Sequence, residues 1–140
     1  MKKHAIVFSL LLICGTATFA QCGKKLVLNS VKTEYLDSTN TLQRSVDENT
    51  SIEINDSAIT IKPADNTIIG AVKSQTCSWS VPYKEGKSVI KTLLKTNNDE
   101  RNATLTIEGK NGVVTMLVEM AEDPNKKIRV TLTKFEESRG

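Results

Sequence analysis

The chain has 140 residues, with 19 basic and 16 acidic side chains, a formal net charge of +3, one histidine and three cysteines. That length suits a single domain with its own core. So small a charge excess gives no electrostatic reason to bind nucleic acid or an anionic membrane surface.

Residues 1–20 read as an export signal. Lys2 and Lys3 form a positive start, Ala5 to Ile13 an apolar core, and Thr18-Phe19-Ala20 a small-x-small cleavage site. Cleavage is expected after Ala20, with Ala17 as the alternative. The apolar run falls short of the roughly 20 residues that a spanning helix needs, and no later segment could span. Removal leaves Gln21 to Gly140 with 17 basic and 16 acidic residues, a net charge of +1. His4 and Cys14 leave with the signal, so the expected mature chain has no histidine and keeps four aromatics: Tyr35, Trp79, Tyr83 and Phe135.

Lipidation needs a small residue before the modified cysteine, and Gln21 precedes Cys22. Anchoring through Cys22 is therefore the minority alternative. The expected fate of the remaining pair is a Cys22–Cys77 disulfide in an oxidising compartment, periplasmic or extracellular. It would close a loop of about 55 residues, worth about 4 kcal/mol on the chain-entropy model. Two buried thiols are the other reading.

From Lys25 onward the sequence alternates with period two. Ile52 and Ile54, Ile59 and Ile61, Cys77, Trp79 and Val81, Ala103, Leu105 and Ile107, then Ile128, Val130 and Leu132 each alternate with polar residues. This is the pattern of strands with one buried and one wet face. Polar breaks fall at Asp37 to Asn40, Asn55-Asp56, Pro63 to Asn66, Asn97 to Glu100 and Glu122 to Asn125. Gly109-Lys110-Asn111-Gly112 is the clearest hairpin connection. Lys87 to Lys95 is ambiguous, because Val89, Ile90, Leu93 and Leu94 also share a helical face. Its β-branched content and flanking strands favour a strand.

The expected fold is all-β: an antiparallel up-and-down meander of about eight to ten strands, closed or half-open as a barrel, in one domain spanning residues 21–140. Between Lys25 and Phe135 the layout of "KLVLNSVKTEYLD", "CSWSVPY" and "ATLTIEGKNGVVTMLVE" resembles small secreted bacterial proteins of the lipocalin-like, or calycin, type. The resemblance is one of layout, since Gly23-Lys24-Lys25 stands where lipocalins carry Gly-x-Trp. It implies a barrel whose interior could take a small apolar ligand.

Missing residue types exclude much chemistry. Without histidine there is no Ser-His-Asp or Cys-His nucleophile and no His-containing zinc site. Gly86-Lys87-Ser88 lacks the second glycine of a phosphate loop, since Val81 stands there. Ser88-Val89-Ile90-Lys91 lacks the companion motifs of acyl-serine enzymes. The acidic stretches Asp47-Glu48-Asn49 and Asn97 to Glu100 lack the spacing of a calcium loop. No cofactor, metal or catalytic residue is assigned, and the expectation is a monomeric non-enzyme.

Two roles follow. One is binding of a small apolar ligand at one end of a mostly packed barrel, with Tyr35, Trp79 and Tyr83 as candidate side chains. Arg44, Arg129 and Tyr35 are candidates for holding a carboxylate. The other is recognition of a secreted or surface protein through the loops Asp37 to Asn40, Tyr83 to Lys87 and Asn97 to Asn102. Expected inward residues are Ile52, Ile54, Ile59, Ile61, Trp79, Val81, Leu105, Ile107, Val114, Met116, Val118, Ile128, Val130 and Leu132.

Overall fold

The computed structural model describes residues 22–64, 66–96 and 99–138. The expected signal and its cleavage site lie outside these residues, as do Asn97 and Asn98. Eight strands follow one another: β1 (Leu26–Leu36), β2 (Leu42–Ile54), β3 (Ala58–Pro63), β4 (Ile68–Val81), β5 (Glu85–Thr96), β6 (Asp99–Lys110), β7 (Val113–Met120) and β8 (Asp123–Glu137). Each pairs antiparallel with the next, and β8 pairs with β1, so the meander closes into a barrel. Among the described residues there is no helix, and hence none long and apolar enough to cross a membrane.

The strands are long, and residues read as breaks or loops lie inside them; Asp99-Glu100, for instance, opens β6. Asp47-Glu48-Asn49 belongs to β2, and Asp123-Pro124-Asn125 opens β8. Residues 87–95 are strand, within β5, with Ser88, Ile90, Thr92 and Leu94 as the buried face. The β6–β7 connection is tight. Asn111 and Gly112 alone join β6 to β7, with φ of 54° and 79°. Two positive φ values are what a two-residue turn needs to match the strand twist. At the β2–β3 turn, Asn55 Oδ1 accepts hydrogen bonds from the Ser57 and Ala58 amides at 2.9 and 2.8 Å.

The core lies inside the barrel as one apolar cluster. Leu28, Ile52, Ile54, Ile59, Trp79, Ile90, Leu105, Ile107 and Met116 are among its fully buried side chains. Val114, Ile128 and Leu132 are partly buried against it. Val81, expected to point inward, is instead 43% exposed. A register shift between Trp79 and Val81 against β5 is the reason, because one extra residue turns every later side chain to the other face. A second shift, between Ser30 and Lys32 against β2, has the same effect on β1. Leu26, Leu28 and Ser30 are buried before it, and Thr33 is buried after it.

Cys22 and Cys77 are joined as a disulfide, tying the turn before β1 to β4. The wall is lowest at β3, which meets β4 only over Ala58–Ile61. β2 continues past its last β3 partner, Thr50, to Leu42, and there pairs only with β1. One end of the barrel therefore has an uneven rim.

Candidate functional site

The two ends of the barrel differ in filling. At one end stand the start of β1, the β4–β5 turn and the end of β8. Here Trp79 is 1% exposed and its indole Nε1 donates to Ser88 Oγ at 2.7 Å. Its ring lies 5.5 Å from that of Phe135, and Tyr83 meets Phe135 edge-on at 5.0 Å. An eight-stranded interior is only just wide enough for side chains to fill, and two glycines leave room for the ring. A Cβ at Gly109 would stand 2.9 Å from Trp79 Cζ3 and against the Lys84 carbonyl oxygen. One at Gly86 would stand 2.8 Å from Trp79 Cδ2. This end is plugged. Tyr83 sits outside the plug on a surface depression with Val27, Lys134 and Glu136. Burial, and secondarily the charge of Glu137, push its phenol above the usual 10.0.

Among the described residues, the opposite end is open. A cavity of ≈ 170 Å³ is lined by Thr33 and Tyr35 of β1, Glu48 and Thr50 of β2, Ile61 and Pro63 of β3, Ile68, Leu94, Met116, Val118, Met120, Ile128 and Val130. The uneven rim explains its position. β3 stops at Pro63 while β1 and β2 run on to the Asp37–Thr41 hairpin. Asp37 organises that hairpin by accepting hydrogen bonds from the Thr39 and Thr41 amides, each at 2.9 Å. These contacts, led by the Thr41 amide, hold the Asp37 carboxyl below the usual carboxylate range.

Of the three ligand-binding candidates, Tyr35 lines the cavity, whereas Trp79 and Tyr83 lie together at the plugged end. The structure does not join them into one site. Tyr35 lies near the end of β1 and Trp79 near the end of β4, and in an antiparallel meander those two strands point opposite ways. The loop candidates divide likewise, with Asp37 to Asn40 at the open end and Tyr83 to Lys87 at the plugged one. Arg129 pairs across the outer wall with Glu34, at 3.2 and 3.3 Å. Arg44 lies 4.4 Å over the Tyr35 ring and outside the cavity lining. Sequence reading missed Thr33, whose inward direction depends on the β1–β2 register shift, and Thr50, which continues the alternation of Ile52 and Ile54 but is polar. Among the described residues, no group of three His, Cys, Asp or Glu is arranged to hold a metal ion.

No family model matches the chain, nor does any curated protein or solved structure.

Proposed function

We propose that this is an exported, lipocalin-like barrel that binds a small apolar ligand in the open-end cavity. The observation that carries the reading is the cavity itself: an apolar lining at an end of the barrel that the described side chains leave unfilled. A cavity of about 150 Å³ with such a lining can hold benzene, so ≈ 170 Å³ suits a ligand of similar size. Long acyl chains are too large for it. Among the described residues, the lining carries one carboxylate, Glu48, and no arrangement of nucleophile and base, which supports a binding role in preference to an enzymatic one. The disulfide supports export, since such bonds persist in oxidising compartments.

Titration of the isotope-labelled mature chain with toluene, followed by amide NMR, tests the reading. Saturable shifts are expected near Tyr35, Thr50, Ile61, Leu94 and Ile128. Trp79 emission, at the plugged end, should stay constant. Absence of saturable shifts, or shifts confined to the outer wall, would overturn the assignment.

A further inference from the structure

Five polar residues are buried in the described barrel: Ser30, Thr33, Thr50, Ser88 and Thr92. Three are satisfied within the protein. Ser30 Oγ donates to the Lys32 carbonyl at 2.9 Å, Ser88 Oγ accepts from the Trp79 indole, and Thr92 Oγ1 donates to the Ala71 carbonyl at 2.7 Å. The remaining two, Thr33 Oγ1 and Thr50 Oγ1, have no hydrogen-bond partner among the described residues. Each residue is only 5% exposed, and both line the open-end cavity. Buried polar atoms without partners are rare and costly in folded proteins. That both occur on this one lining ties them to whatever fills the cavity.

We propose that Thr33 and Thr50 receive the polar group of the ligand. The cavity is then selective for a small neutral molecule carrying a hydroxyl or carbonyl on an apolar ring or short chain. The inference rests on the ligand-binding reading above and adds its chemistry. A threonine hydroxyl can both donate and accept, so it suits an alcohol, a phenol or a ketone. An anionic head does not suit the site. Among the described residues, Glu48 is the only charged side chain on the lining, and no lysine or arginine lines the cavity to balance a buried negative charge.

Calorimetric titration of the mature protein with phenol, toluene and benzoate tests this directly, because phenol and toluene differ by a hydroxyl for a methyl. Phenol is expected to bind about fivefold tighter than toluene, the net worth of one hydrogen bond. Benzoate is expected to show no saturable binding. The T33V/T50V double variant should bind both neutral probes equally, and T33S/T50S should keep the preference for phenol. Equal affinity of phenol and toluene for the wild type would mean that water satisfies the two hydroxyls. It would overturn this inference while leaving the apolar-ligand reading intact. A phenol preference that survives in T33V/T50V, or saturable benzoate binding, would also overturn it. Failure of both neutral probes to bind would overturn the two readings together. If the double variant does not fold, the three-probe comparison on the wild type still decides.

Discussion

The indole of Trp79 and the hydroxyl of Ser88 form a 2.7 Å hydrogen bond between adjacent strands inside the barrel, with both residues at most 2% exposed. Ser88 is thus the group that lets a tryptophan be fully buried in so narrow an interior. Ser88→Ala would leave the indole N–H without a partner, which costs about 1–3 kcal/mol. Denaturant unfolding monitored by Trp79 emission should show the midpoint fall accordingly. An unchanged midpoint would mean that the indole finds another acceptor.

Gly109 makes the same point through volume. A methyl there would press on the Lys84 carbonyl oxygen and stand 2.9 Å from the Trp79 ring. One neighbour is backbone and the other a ring held by its hydrogen bond, so neither can yield cheaply. Gly109→Ala is expected to destabilise by about 1–3 kcal/mol, the usual cost of overpacking. Gly112→Ala, in a turn with open space around the added methyl, should cost less despite its φ of 79°. Equal losses in the two variants would show that the Trp79 plug is looser than the packing implies.

The Cys22–Cys77 bond spans 55 positions in sequence and anchors the segment before β1 to the plugged end. Its removal in Cys22→Ser/Cys77→Ser should lower stability by about 2–4 kcal/mol, chiefly by freeing the unfolded chain. Intact mass should rise by about two daltons on reduction, one hydrogen per sulfur. A variant as stable as the wild type would assign the bridge no role in holding the barrel.

The two cavity hydroxyls predict a change of opposite sign. Thr33 Oγ1 and Thr50 Oγ1 lack partners among the described residues, and replacing each hydroxyl by a methyl removes a buried polar atom with little change of shape. Thr33→Val and Thr50→Val are each expected to stabilise the empty protein by about 1 kcal/mol. Thermal unfolding of the single variants measures it. Destabilisation by either would show that its hydroxyl is already satisfied, by solvent, in the folded state.

Period-two alternation located the barrel and most of its core. Ile52, Ile54, Ile59, Ile61, Trp79, Leu105, Ile107, Met116, Val118 and Val130 are all buried as expected. The misreadings cluster where alternation breaks. The register shifts at Ser30/Lys32 and Trp79/Val81 hide Thr33 and expose Val81, and a single-residue slip leaves no compositional mark. Grouping Tyr35 with Trp79 failed for a different reason. Which end of a meander a residue occupies depends on the parity of the strand count. That parity stayed open while polar stretches such as Asp123-Pro124-Asn125 read as breaks. The glycines around Trp79 become meaningful only once Gly86 and Gly109 are paired across β5 and β6.

Tyr83 provides a pH test of the plugged end. Burial of its ring, and then the negative charge of Glu137, raise its phenol above the usual 10.0. The folded protein therefore holds this proton more tightly than the unfolded chain does. The resulting stability is fully present below pH 10 and is lost as pH rises through the raised folded value. Ultraviolet phenolate absorbance should show a late-ionising component, and Tyr83→Phe should remove it. Glu137→Gln should move it only part of the way back, because burial is the larger cause. Normal titration of Tyr83 in the folded wild type would mean that the ring is more hydrated than its packing on Phe135 implies.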